Sequence, residues 1–327
     1  MLTVCGVPLG EACRVGFNVP MTSRPVVALG QHPPPDQVIV HLSDTHFVAG
    51  GAPLMGTVDS DGHLAEALRG LRASGLRPSA IVVTGDVADT GAPDAYARVR
   101  AMLEPVAADL GAELIWVMGN HDDRARFRAG LLDGEGAAEV DAVYDLDGLR
   151  LVVLDSTVPG HDWGLVTPAQ LDWLAAVLAE PAPKGTVLAM HHPPLPVPIV
   201  LSQLIELREQ AALEAVLAGT DVRAIVAGHL HYSTFSSFAG IPVSAAAATC
   251  YTTDLLAPEP SLRGQDGGQA FNLIHVYPEQ IVHSVVPIGA YPTVFDIPVT
   301  TEQLLQLAQL SPEEQEAIAF ANDPGNP

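Results

Sequence analysis

Val38-Ile39-Val40-His41-Leu42-Ser43-Asp44-Thr45-His46 holds the organisation of this chain in miniature. A short β-branched apolar run gives way abruptly to an aspartate and a histidine two residues apart. Runs of this kind, bounded by turn signals, suit strands buried on both faces. The pattern then recurs: Ala80 to Thr84 leads into Gly85-Asp86, and Glu113 to Met118 into Gly119-Asn120-His121-Asp122. Farther on, Gly185 to Met190 leads into His191-His192, and Val222 to Ala227 into Gly228-His229-Leu230-His231. A further run, Leu149 to Leu154, ends at Asp155.

Helical spacing separates the runs. Leu64, Leu68 and Leu71 lie on one helix face, Thr167-Pro168-Ala169-Gln170 reads as a capping box, and Leu204 to Leu217 is expected to be one helix. Alternation of strands with helices implies a central sheet covered by helices. After His231 the pattern changes to Ser236 to Ala245, Phe271 to Tyr277 and Ile281 to Pro287, read as antiparallel hairpins that complete a second sheet. The expected fold is α/β, a four-layer α/β/β/α sandwich forming one domain over residues 37–290.

Residues 1–36, ending in Pro33-Pro34-Pro35, read as an extension or linker, with Met21 an alternative start. Residues 291–327 read as a tail in which Ser311-Pro312-Glu313-Glu314 caps one short helix and residues 322–327 fray.

Composition narrows the function. The chain has 327 residues, 48% of them hydrophobic, and a formal net charge of −23 with Lys184 as its one lysine. Such a surface repels nucleic-acid polymers, whose binding depends on Lys and Arg neutralising phosphates. An anionic substrate would therefore need bound cations to receive it. Cys5, Cys13 and Cys250 lack metal or redox spacing and are expected to be reduced thiols. No secretory pattern and no apolar run of about 18 residues is present, so the expected location is cytoplasmic, peripheral membrane association remaining open.

The ligand-type residues carry the chemistry. Sites in open α/β sheets form at the carboxyl ends of strands, so five separate loops are expected to converge. Imidazole, carboxylate and amide together favour Fe, Mn, Zn or Co over a thiolate-bound metal. Seven donors, Asp44, His46, Asp86, Asn120, His191, His229 and His231, serve two ions only if one bridges and solvent completes the shells. A carboxylate can bridge, which points to Asp86. Gly85, Gly119 and Gly228 are expected to let the backbone turn sharply beside the metals.

The order Asp-x-His, Gly-Asp, Gly-Asn-His-Asp, His, Gly-His-x-His resembles the calcineurin-like metallophosphoesterase superfamily. Within it the chain looks most like the class III cyclic-nucleotide phosphodiesterases, over about residues 37 to 290, including Val117 to Asp123, Asp155 to Gly160 and Ala227 to Ser233. The resemblance implies Asp44, His46, Asp86 and His231 around one metal, and Asp86, Asn120, His191 and His229 around the other. It implies Fe and Mn as the ions, Asn120, His121 and His231 as substrate contacts, and in-line attack by a metal-activated hydroxide on 3',5'-cyclic AMP. His121 would be the general acid, oriented by the carboxylate of Asp89 or by Asp122, with His192 as a further catalytic candidate. A homodimer is implied as well. Two other readings stay open: a broader phosphodiesterase for 2',3'-cyclic nucleotides or glycerophosphodiesters, and a metal-dependent binding or scaffold module.

Other residues invite plainer expectations. Asp155 caps structure, Cys250 and Tyr251 pack in a core, and His275 and His283 are structural. Trp116 and Trp173 are core, His161 lies in a surface turn or at a pocket rim, and Trp163 covers the pocket mouth.

Overall fold

The computed structural model describes residues 27–258 and 260–321. Met21, Cys5, Cys13 and the fraying expected of residues 322–327 lie outside them. The described residues divide into a large unit, Pro35–Pro292, and a smaller one comprising residues 27–34 and 293–321.

In the large unit, β1 (Gln37–Leu42), β2 (Ala80–Thr84) and β3 (Glu113–Val117) run parallel, with Ile39 beside Ala80 and Ala80 beside Glu113. The second sheet is built from β4 (Ala142–Leu146), β5 (Leu149–Val153), β6 (Thr186–Ala189), β7 (Val222–Ala227), β8 (Thr234–Phe238) and β9 (Ile241–Ala245), in spatial order β4-β5-β6-β7-β9-β8. A small ribbon pairs β10 (Thr252–Thr253) with β11 (Gly264–Gln265). The hairpin of β12 (Ala270–Val276) and β13 (Ile281–Pro287) returns to the first sheet, whose order is β13-β12-β1-β2-β3.

This divides the C-terminal hairpins differently from the sequence expectation, which placed all of them in the second sheet. Only β8 and β9 join it, across Ala239 and Gly240, both at positive φ (53° and 78°) as a two-residue hairpin of matching twist requires. The hairpin of β12 and β13 instead closes the free edge of β1, with Ile39 opposite Ile274.

Strand side chains alternate between two buried layers. Ile39, Val82, Ile115 and Val117 face Leu149, Leu151, Val187 and Val226 between the sheets. On the outer face of the first sheet, Val40, Leu42, Ile81 and Val83 pack against α1 (Ser60–Ser74), α2 (Pro93–Leu110) and α3 (Arg124–Leu131). On the outer face of the second, Val152, Leu188 and Ile225 pack against α4 (Pro168–Val177) and α5 (Gln210–Leu217). The four layers are those expected, and the α4 capping box forms, with Gln170 N 3.3 Å from Thr167 Oγ1.

The single helix expected from Leu204 to Leu217 is broken. Val200–Ile205 is a 3-10 segment, Glu209 sits at φ 53°, and α5 begins only at Gln210. The interruption leaves the Ile205 carbonyl free of a helical ladder, and His229 Nε2 donates to it at 2.9 Å. In the smaller unit, Ser311 and Glu314 cap α7 (Pro312–Ala321). The sequence reading missed α6 (Thr301–Leu307) before it, capped by Thr300 and Gln303.

Candidate metal centre

The five loops beyond β1, β2, β3, β6 and β7 converge as expected. Backbone contacts knit them directly: Asp44 N donates to the Gly85 carbonyl at 3.1 Å, and Gly228 N to the His191 carbonyl at 3.0 Å. The His229 amide then reaches the Asp44 carboxylate at 3.0 Å across 185 residues of sequence.

Backbone strain is concentrated here. Of the ten non-glycine residues at positive φ among those described, five are Asp44, His46, Asp86, His229 and His231. Each such conformation costs roughly 1–3 kcal/mol and persists only where its surroundings fix it. Gly85 adopts φ 91°, but the sharp turns expected of Gly119 and Gly228 are not what those two supply. They supply room: a Cβ on Gly119 would lie 2.1 Å from Asp86 N, and one on Gly228 1.8 Å from Ser43 Oγ.

Two overlapping clusters of donor atoms result. His46 Nε2 lies 3.2 Å from His231 Nε2 and 3.4 Å from Asp86 Oδ2, and His231 Nε2 lies 3.5 Å from Asp44 Oδ1. His191 Nε2 lies 3.3 Å from the same Asp86 Oδ2, 3.0 Å from Asn120 Oδ1 and 3.2 Å from His229 Nδ1. Asp86 Oδ2 thus faces both groups.

Outward hydrogen bonds fix the tautomers that this arrangement needs. Nδ1 of His46 donates to the Asp89 carboxylate at 3.1 Å, Nδ1 of His191 to the Thr84 carbonyl at 2.7 Å, and Nδ1 of His231 to the Tyr251 carbonyl at 3.1 Å. His229 is reversed, donating Nε2 outward to Ile205 and turning Nδ1 inward. The inward nitrogen of each ring therefore faces the centre, free of any carbonyl partner, and offers a lone pair once its proton is displaced. Ser43 Oγ donates to Asp44 Oδ2 at 2.5 Å, fixing that carboxylate too.

The electrostatics describe a site built for cations. Burial lowers the proton affinity of His46 and His191, but the neighbouring aspartates outweigh it and raise their pKa values to about 10 and about 9. Burial, assisted by the facing imidazoles, pushes His229 and His231 down to about 3. Asp86 stays ionised against its burial because His191 and His46 face it. Buried carboxylates at this density need positive charge, and the donor set of imidazoles, carboxylates and one amide fits two borderline cations sharing Asp86.

His121 stands beside this set, its ring centroid 4.6 Å from that of His46, and its side chain is 40% exposed. The structure corrects how it is held. Its Nδ1 donates to the backbone carbonyl of Asp89 at 2.8 Å, whereas the Asp89 carboxylate, 3.7 Å away, is engaged with His46. Nor does Asp122 orient it: that carboxylate receives the amides of Val87, Ala88 and Gly119 and the Tyr96 hydroxyl, joining the loops after β2 and β3 to α2.

His192 is corrected as well. It is fully buried, its Nδ1 paired with Ser156 Oγ at 2.9 Å and its Nε2 with the Asp162 carbonyl at 3.1 Å. With both nitrogens so engaged, it packs its ring 4.4 Å from that of His229 rather than reaching a substrate. Asp155 is structural, binding the Val140 and Thr157 amides and the Arg124 guanidinium.

Cys250 and Tyr251 do more than fill a core. Cys250 packs with Leu54 and Val58, yet its Sγ lies 3.8 Å from His231 Nδ1, and the Tyr251 ring centroid lies 4.4 Å from that of His231. Sequence reasoning missed the support supplied by Thr84, Ile205 and Tyr251, because a backbone carbonyl has no residue signature.

Comparison with known proteins agrees with this geometry. Residues 38–233 match the calcineurin-like phosphoesterase family. The chain is 57% identical over 265 residues to a cAMP/cGMP dual specificity phosphodiesterase of Mycobacterium tuberculosis, covering 81% of this chain and 83% of that one. It is also 57% identical over 270 residues to a probable cyclic nucleotide phosphodiesterase of Rhodococcus erythropolis, covering 82% and 89%. Among solved structures, a dimetal phosphatase from Danio rerio shares the fold at TM-score 0.56 and 17% identity, over 78% of this chain and 97% of that one.

Proposed function

The chain belongs to the calcineurin-like phosphoesterase family, and we propose that it is a metal-dependent phosphodiesterase opening the ring of 3',5'-cyclic AMP and cyclic GMP to the nucleoside monophosphate. Asp86 supports the chemical part of this reading: one of its oxygens lies within 3.4 Å of imidazole nitrogens in both clusters, where it would be open to two cations at once. The substrate class rests on the identity to cyclic-nucleotide phosphodiesterases over four-fifths of the chain.

In this reading Asp44, His46, Asp86 and His231 hold one cation, and Asp86, Asn120, His191 and His229 hold the other, with iron and manganese as the pair. Two such cations supply an activated water and neutralise the phosphoryl oxygens. This chain's own residues do the rest. The outward hydrogen bonds hold the donors in place before substrate arrives, and Asn120, His121 and His231 line the position of the phosphoryl group. His121, donating Nδ1 to Asp89, keeps Nε2 for the leaving oxygen and delivers its proton there.

Among the described residues no helix is long and apolar enough to cross a membrane. A homodimer and a cytoplasmic location complete the proposal, and sedimentation giving only monomer would remove the first.

The test compares hydrolysis of 3',5'-cyclic AMP, 2',3'-cyclic AMP and an aryl phosphodiester, with added manganese and with chelator, in wild type and Asp86→Ala. Metal-dependent turnover of the 3',5' ring, abolished in the variant, is expected. Preference for the 2',3' ring would favour the broader phosphodiesterase. No turnover of any diester by protein carrying two metals would overturn the phosphodiesterase reading and point to a monoesterase or a binding role.

A further inference from the structure

We infer that Arg208, laid flat over the Trp163 indole, receives the purine base of the substrate and so contributes to specificity from outside the metal cluster. The inference rests on the cyclic-nucleotide reading above and names the part of the site that meets the nucleoside.

Arg208 is distinguished first by what it lacks. Twelve arginines fall within the described residues, and eleven place the guanidinium on a carboxylate or a carbonyl, as Arg98 does on Asp61 and Asp94, Arg150 on Asp221, and Arg223 on the Lys184 and Tyr277 carbonyls. Among the described residues Arg208 alone does neither, in a chain of net charge −23 where carboxylates are plentiful. Its guanidinium instead lies 3.9 Å from the Trp163 ring centroid. One planar face is occupied by the indole, leaving the other face and the N–H edge without a partner among the described residues.

Its position points to the metal centre. Trp163 follows Asp162, whose carbonyl holds His192 against His229. Arg208 lies three residues beyond Ile205, whose carbonyl holds His229 itself. Three residues span at most about 11 Å, so both stacking partners are carried on segments whose carbonyls hold the His192 and His229 rings in place.

The stack is not needed to join these loops. Gly164 N already donates to the Glu206 carbonyl at 3.2 Å, and Arg208 N to the Gly164 carbonyl at 2.8 Å. What the side-chain stack adds is a flat, positively charged surface that stays rigid because the indole supports it. Purine rings stack on guanidinium planes, and an unpaired N–H edge can donate to base nitrogen or oxygen acceptors. His161, its ring centroid 4.8 Å from that of Trp163, supports the indole further.

The test uses full-length, metal-loaded protein and compares wild type, Arg208→Ala, Arg208→Lys and Arg77→Ala as a remote control. Substrates are 3',5'-cyclic AMP and ribose 3',5'-cyclic phosphate, which keeps the ring and lacks the base. Metal content and melting temperature are recorded for each variant. Losing the stacked surface is expected to raise KM for cyclic AMP about tenfold, with kcat less affected and a much smaller change for the base-free substrate. Arg208→Lys is expected to fail as a rescue, because an ammonium keeps the charge and loses the plane.

Equal losses on the two substrates, an unchanged KM for cyclic AMP, or full rescue by lysine would each overturn the inference. Failure of the functional reading itself would look different: wild type would then leave cyclic AMP intact.

Discussion

Asp89 gives its carboxylate to His46, Oδ1 to Nδ1 at 3.1 Å, and only its backbone carbonyl to His121. One residue thus serves two rings through chemically separate groups, and substitution can part them. Asp89→Asn keeps the carbonyl and replaces the carboxylate by an amide, a weaker acceptor that leaves His46 Nε2 a poorer donor to a cation. Cation affinity is expected to fall about 10- to 100-fold. At saturating manganese most of the turnover should return, since His121 is still held. A kcat loss that excess metal does not restore would show that the carboxylate acts on the reaction directly.

His121 itself should separate in the opposite way. It contributes no atom to either donor cluster, so His121→Ala is expected to keep both metals while kcat falls about 10²- to 10⁴-fold, the usual worth of a positioned proton donor. The loss should shrink with a diester whose leaving group needs no proton, such as p-nitrophenolate. Metal analysis beside the two kcat values decides the matter, and loss of a metal ion would reassign His121 as a ligand.

Much of this arrangement was legible because strand ends and ligand types coincide in the sequence. Val38 to Leu42 and Val222 to Ala227 read as buried strands from their apolar runs, and Asp44, His46, His229 and His231 follow them directly. What escaped reading depends on long-range partners. Nothing in Leu204 to Leu217 reveals that its helical spacing is overridden after Ile205, where a carbonyl must face His229 and Leu207 must pair with Gly164. The hairpin of β12 and β13 alternates like any edge strand, and the sheet it joins is decided by the open edge of β1. Asp122 looked like a partner for its neighbour His121 because proximity in sequence was the only guide, while its three amide donors lie up to 35 residues away.

Asp122 ought therefore to matter for stability rather than chemistry. Burial, with Asp86 nearby, raises its pKa to about 6, yet the three amides and the Tyr96 hydroxyl all require an acceptor. Asp122→Asn turns an NH₂ group toward donors and should destabilise the fold by about 2–3 kcal/mol. Denaturant unfolding measures this directly. A variant as stable as wild type would mean that the loops after β2 and β3 are held by other contacts.

Gly119→Ala tests packing at the site itself. The new Cβ would meet the Asp86 backbone nitrogen at 2.1 Å and Oδ1 at 2.3 Å, distances no side-chain rotation relieves on the backbone side. Displacing Asp86 moves the oxygen common to both clusters, so the variant should lose cation binding and turnover together. Isothermal titration with manganese should register the loss even where circular dichroism finds the fold intact. Normal stoichiometry and affinity would mean the loops after β2 and β3 can separate without disturbing Asp86.

The protonation of the histidines gives cation binding its own pH dependence. With no cation present, the aspartates keep His46 protonated up to about pH 10 and His191 up to about pH 9. An entering cation must displace both protons, so binding releases protons at neutral pH and tightens as pH rises toward 9. Each proton released changes affinity about tenfold per pH unit. His229 and His231, held near pKa 3, are already neutral and add nothing to this slope above pH 5. Calorimetry of manganese binding to chelator-treated protein, in buffers of differing ionisation enthalpy between pH 6 and 8, counts the protons. A release close to two fits the geometry, whereas no release would mean that His46 and His191 face the centre already deprotonated.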